Sequence, residues 1–207
     1  PGGAIEQPWL ASADVDGDGR PELLLPQKNF VRAVVLERGQ KIPGSTNQPG
    51  WVFRVKDQIN GAESDSQIVG AMAVRNGTNS RPSIFLLDAQ YNQLSLCERD
   101  TNGVWQIVRN VDLPVSAFNS IQPVALGGPD VTSVAFLGRN AVAWMPLSGG
   151  VWNLTALDAY ETERRPATTE LVRLNRRNGP EQVMQLVEER APDGFKVVTD
   201  VLSLTEL

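Results

Sequence analysis

The feature that most limits how this chain can fold is a recurrence. Short apolar or alternating runs, each about four to eight residues long, return along the whole of its 207 residues between clusters of Gly, Pro, Asn and Asp. Runs of that length and punctuation fit strands and leave no room for helices of ordinary length. β-Branched and aromatic side chains fill the segments 22–25, 30–36, 51–55, 68–74, 83–87, 94–97, 104–108, 121–126, 134–137, 141–145 and 152–157. One stretch, 182–190, places Val183, Leu186 and Val187 at helical spacing. Pro180 before it and Pro192-Asp193-Gly194 after it make a strand an equal expectation.

The runs also repeat as groups. Arg20-Pro21-Glu22-Leu23-Leu24-Leu25 is echoed by Arg81-Pro82-Ser83-Ile84-Phe85-Leu86, and a glycine precedes an aromatic at Gly50-Trp51, Gly103-Val104-Trp105, Gly150-Val151-Trp152 and Gly194-Phe195. Those aromatics lie 54, 47 and 43 residues apart. A period of about 40 to 50 residues carrying four short strands is that of a β-propeller blade. The expected architecture is all-β, a propeller-type repeat of about four four-stranded blades within a single domain, 1–207. The blades fall at 9–57, 67–112, 120–158 and 168–204, and the last is one strand short. Three arrangements follow: a closed four-bladed ring in which residues 1–8 complete the last sheet, a segment of a larger, seven-bladed ring, or assembly with other chains or missing blades. The segment is preferred, because unpaired blade edges are sticky. A β-sandwich fits the recurrence less well. Trp51, Trp105 and Trp152 share the period and are expected in the core, on the last strand of each blade. Trp9 and Trp144 lie off that register and are candidates for a binding platform.

Composition removes several function classes. With no histidine and one cysteine there is no Ser-His-Asp or Cys-His nucleophile pair, no His-ligated metal and no disulfide within the chain. The 19 basic and 24 acidic side chains give a charge of −5 with no basic run, which argues against nucleic acid as a partner. No stretch approaches the roughly 20 apolar residues of a membrane span. The chain opens on Pro1-Gly2-Gly3 rather than Met, so residues upstream are expected to be missing.

One segment carries chemistry. Asp14-Val15-Asp16-Gly17-Asp18-Gly19-Arg20-Pro21-Glu22 sets carboxylates at its first, third, fifth and ninth positions. Alternate residues of a tight turn can aim successive carboxylates inward, and Ca2+ takes six to eight oxygens at about 2.3 to 2.6 Å. Asp14, Asp16, Asp18 and Glu22 are the candidate side-chain ligands, the carbonyl of Arg20 adds an oxygen, and Gly17 and Gly19 supply the backbone freedom. An EF-hand shares the opening pattern but fails at the twelfth position, which is Leu25, and in being followed by a β run. The plain alternative is an acidic β-turn whose Asp and Gly serve only turn geometry.

This nine-residue pattern resembles the calcium-holding loops of FG-GAP and VCBS-type repeats in integrin-like β-propellers, with Glu22 where Asp is commoner. The resemblance implies a propeller fold, Ca2+ in the first loop and an extracytoplasmic setting, secreted or periplasmic. The motif for which FG-GAP repeats are named is not visible elsewhere in the chain. The second repeat reads Val74-Arg75-Asn76-Gly77-Thr78-Asn79-Ser80-Arg81-Pro82-Ser83, with Val for the first ligand and Ser for the last. The third shortens the turn to Gly127-Gly128-Pro129-Asp130, and the fourth places Arg176-Arg177 there, so a single calcium site per chain is expected.

Weaker candidates surround it. Asn76-Gly77-Thr78 and Asn153-Leu154-Thr155 match the glycosylation sequon by chance frequency. Cys97 reads as a small strand residue, and Arg164-Arg165 and Arg176-Arg177 as solvated charges able to meet an acidic glycan. Asp158, Glu161 and Glu163 have no spacing that marks an acid and a base. The functional expectation is a calcium-stabilised module that binds or scaffolds a protein or glycan. The alternative is an extracellular polysaccharide-active enzyme, a lyase or hydrolase, built on propeller loops.

Overall fold

Side chains along a strand alternate between its two faces, so a strand buried on both sides reads as an unbroken apolar run and one buried on a single side as an alternation. Both kinds occur in a computed structural model, which describes residues 10–40, 49–75, 81–114, 120–126, 132–138, 140–148, 151–163, 168–172 and 182–204.

The strands pair with their sequence neighbours. In the first sheet β1 (Ala11–Ala13), β2 (Glu22–Gln27), β3 (Phe30–Arg38) and β4 (Trp51–Asn60) lie in that order, all antiparallel. The second repeats the plan with β5 (Ile68–Val74), β6 (Ser83–Asp88), β7 (Gln93–Arg99) and β8 (Trp105–Asp112). The third holds β9 (Ser120–Ala125), β10 (Thr132–Leu137) and β11 (Ala141–Trp144). A detached hairpin of β12 (Leu147–Ser148) and β13 (Val151–Trp152) follows before β14 (Asp158–Glu161) closes that sheet against β11. The fourth contains three described strands, β15 (Thr168–Val172), β16 (Gln182–Ala191) and β17 (Gly194–Ser203). The molecule is all-β, of β-propeller type, built from four-stranded antiparallel blades, with no helix among the described residues.

One open alternative is settled here and one expectation changes. The stretch 182–190 is strand, because it hairpins onto β17 through Pro192-Asp193, pairing Ala191 with Gly194. The run 152–157 is not one strand but the end of β13, a turn and the approach to β14, so Trp152 belongs to the small hairpin rather than to the last strand of its blade.

The core is two layers between blades. On β6, Ile84 and Leu86 face the first blade, where they meet Ala13, Val15, Leu24 and Ile59. Phe85 and Leu87 face the third, against Val134, Phe136 and Met145. Every residue of β6 is buried, which accounts for its unbroken apolar run. A third cluster, Val124, Ala135, Leu137 and Val142, lies on the far side of blade three and receives Leu204 from the C-terminal segment. Burying one such large side chain contributes about 1.5–3 kcal/mol.

The tryptophans do not behave alike. Trp105 and Trp152 are half-buried against the inter-blade cores, and the Trp152 ring meets Phe85 edge-on at 5.7 Å. Trp51 is 59% exposed, with the Arg38 guanidinium 4.6 Å from its ring centroid, so it is not core. Trp144 packs beside the third cluster, and Trp9 lies outside the described residues.

Candidate functional site

The acidic segment is the loop from β1 to β2, whose ends are fixed by the pairing of Ala13 with Glu22. Gly17 (φ +81°) and Gly19 (φ +83°) adopt the left-handed conformation that a Cβ penalises, which lets the chain curl around the Asp14 side chain. Asp14 accepts hydrogen bonds from Gly17 N at 2.7 Å and Gly19 N at 2.9 Å. Asp16 accepts one from Asp18 N, and Asp18 one from Arg20 N. These bonds gather one oxygen from each of Asp14, Asp16 and Asp18 within 4.8 Å of one another. Oxygens about 2.3–2.6 Å from a shared Ca2+ stand at most about 5 Å apart, so the trio fits a hard cation.

Glu22 behaves differently from the three aspartates. It is fully buried, and its Oε2 accepts a hydrogen bond from Val15 N at 2.8 Å. Its Oε1, also buried, has no hydrogen-bond partner among the described residues. Desolvation, assisted by the charges of Asp16, Asp18 and Asp14, raises its pKa above the ordinary carboxyl value. The site residues thus divide into a trio, with Asp14 half-buried and Asp16 and Asp18 exposed, and one buried arm that does not join the trio's 4.8 Å cluster.

The sequence gives no sign of the loop's cationic neighbour. A bulge in the β3–β4 pairing sets Ala33 opposite Asp57 and Val34 opposite Val55, leaving Lys56 unpaired and turned toward the loop. Lys56 Nζ lies 3.2 Å from Asp16 Oδ2 and 3.5 Å from Asp18 Oδ2. Its hydrogen bond holds the Asp16 carboxyl below its usual pKa, and the same contact raises the lysine's. The next residue, Asp57, ties the first two blades together: its Oδ2 accepts from the Arg99 guanidinium and from Trp105 Nε1 at 2.8 Å.

The second loop occupies the same place in its blade. Val74 pairs with Ser83 as Ala13 pairs with Glu22, with eight residues between the paired ends in both loops. By this register Ser83 stands where Glu22 does, and the residue matching Asp14 is Arg75, one place beyond the Val74 assigned from sequence. A cationic side chain thus replaces the first ligand.

The remaining candidates do not assemble a site. Cys97 is fully buried, and burial pushes its thiol up to about 12, consistent with a packing role. Asp158 and Glu161 sit at opposite ends of β14 and point to opposite faces. The sequon at Asn76 and both arginine pairs lie outside the described residues, whereas Asn153 is exposed and accepts a hydrogen bond from Thr155 N.

No protein-family model and no curated protein matches the chain. Among solved structures it is similar to a crystal structure of BBS1N in complex with ARL6DN soaked with lead, at 14% identity and a TM-score of 0.41. The mercury-soaked form of that complex gives 13% and 0.40. Each comparison covers 98% of this chain and 70% of the other.

Proposed function

We propose that this chain is a calcium-braced β-propeller module of the FG-GAP/VCBS type, working outside the cytoplasm, whose blades present a rigid face to a protein or glycan partner. The observation that carries the calcium reading is Glu22 Oε1: a fully buried oxygen without a hydrogen-bond partner among the described residues, beside three carboxylates gathered by their own backbone. A buried carboxylate left unpaired is expensive, and a cation on the loop would remove that penalty while neutralising the crowded trio. Asp14, Asp16, Asp18 and the Arg20 carbonyl would hold the ion, with Glu22 closing from β2. The ion would supply charge neutralisation and loop rigidity.

The competing arrangement is Lys56 as a permanent counter-cation. Calcium titration by isothermal calorimetry, with thermal melts in millimolar Ca2+ and in EDTA, separates the two. Heat of binding at one site per chain and a higher melting temperature in Ca2+ are expected. Identical melts and no binding heat would leave the loop an acidic turn clamped by lysine. Extracytoplasmic calcium is plentiful enough to saturate even a weak site, which is why the loop suits that setting.

A further inference from the structure

We propose that the face of the first blade turned away from the second docks the fourth blade of a second copy of this chain, head to tail, with the Glu188 carboxylate received by Arg38 beside Trp51. This contact goes beyond the calcium reading and uses none of the loop's ligands.

The second blade shows what such a face receives. The outer hairpins of the two blades end on matching register pairs, Arg38 opposite Trp51 and Arg99 opposite Trp105. In both, the guanidinium lies over the indole, 4.6 and 4.9 Å from the ring centroid. Arg99 and Trp105 Nε1 together hold one carboxylate, that of Asp57 on the outer strand of the preceding blade. Arg38 and Trp51 hold none: Arg38 donates to the Pro49 carbonyl at 3.2 Å, and the Trp51 N–H has no acceptor among the described residues. The apolar surroundings match as well. Leu23 and Leu25 stand where Ile84 and Leu86 do, the residues through which the second blade meets the first. Pairing sets Leu23 beside Val34, Val34 beside Val55 and Leu36 beside Phe53 on this same face. Yet Leu36, Trp51, Phe53 and Val55 are exposed, Phe53 by 70%. An exposed apolar patch edged by Arg and Trp is the composition of a protein-docking surface.

The fourth blade carries the complement. Phe195, Val197 and Val201 alternate along β17, so they share one face, and all are exposed, Phe195 by 80%. Glu188, the register partner of Val197, is exposed on that face and unpaired with any cation among the described residues. Arg190 follows opposite Phe195 at the hairpin tip, so the acid lies nearer the middle of the row. On the blade-one face the strands present Arg32 and Arg38 and no acid, because Glu22, Glu37 and Asp57 project from the opposite side. Asp18 reaches its edge together with Lys56, to which it is ion-paired. Two such cationic faces repel, which disfavours blade one against blade one and leaves the head-to-tail contact.

The test is sedimentation velocity on the full chain across a concentration series in EDTA, which keeps the result separate from calcium binding. Reversible association to twice 22.6 kDa or more is expected, since a head-to-tail contact either closes a ring or propagates. F53S, R38E and E188K are each expected to weaken it by about tenfold or more with an unchanged far-UV circular dichroism spectrum, all three side chains being exposed. R38E/E188K exchanges the two charges and is expected to recover most of the loss of either single variant. A native chain that stays monomeric at about 200 μM, association indifferent to F53S and R38E, loss with F53S but not with E188K, or a double variant no better than the singles would overturn the proposal.

Discussion

The first and second blades carry loops of equal length at equivalent positions, entered from Ala13 and Val74 and left through Arg20-Pro21 and Arg81-Pro82. One presents three aspartates over a buried glutamate; the other substitutes Arg75 and Ser83 at the matching ends. Their outer strands differ in step. The bulge of β3 against β4 delivers Lys56 to the acidic loop, while the matching bulge of β7 against β8 leaves Val108, half exposed. Identical backbone plans therefore support opposite electrostatics. What decides the chemistry of a blade here is a few side chains at the two ends of one loop and the residue aimed at it from the outermost strand.

Removing the acids should have the largest effect on that contrast. D14A/D16A/D18A is expected to abolish the calcium-induced rise in melting temperature. At 100 times the dissociation constant that rise corresponds to about 2.7 kcal/mol, or roughly 5–10 °C for a domain of this size. Calorimetry should show no binding heat. Next comes Glu22. Its raised folded-state pKa means that protonation stabilises the fold: the gain is full below about 4.5 and fades as pH climbs through the raised value. In EDTA the melting temperature should therefore fall over that interval, and Ca2+, by favouring the carboxylate, should flatten the fall. E22Q should melt higher than the native chain in EDTA at neutral pH, by about 1–2 kcal/mol, yet respond less to calcium. Differential scanning calorimetry across pH reads both.

Smaller changes follow from Lys56 and Arg75. K56M removes a rival cation and should tighten calcium binding several-fold at low ionic strength, with a diminishing effect as salt is added. It should also lessen the depression of the Asp16 pKa, to which the Asp18 backbone N–H and the Arg99 charge also contribute; the stability that goes with that depression is present above about 3.8 and lost as pH falls. The smallest effect is expected from R75D, which restores the first acid of the second loop without the buried glutamate. It should shift stability by no more than about 0.5 kcal/mol and create no second calcium site. Binding of a second ion by R75D would show that the buried arm is dispensable.

Much of this fold is legible in the sequence because local pattern and burial agree. The run 68–74 coincides with β5, bounded by polar residues on either side, and the doubly buried β6 advertises itself as Ile-Phe-Leu-Leu. The misread places share a cause. Recurrence of Trp51 fixes its position along the chain and says nothing of depth, which depends on what packs across the sheet. The hairpin β12–β13 is signalled by Gly149-Gly150 between Leu147-Ser148 and Val151-Trp152, but the pull of the Trp period hides it. In the acidic loop the residue types and spacing name the trio, whereas Lys56 is reachable only through a bulge, and a bulge leaves no mark in composition. The Arg75 register follows from strand pairing, which a single sequence fixes to within a residue or two at best.

The double burial of β6 also dictates how the molecule opens. A strand that both neighbouring blades lean on cannot lose its hydrogen bonds until two interfaces separate, whereas β4 and β17 border solvent along most of their length. Deuterium uptake should thus run inward from the rims, with the amides of Ile84 to Leu87 exchanging last, near the free energy of global unfolding.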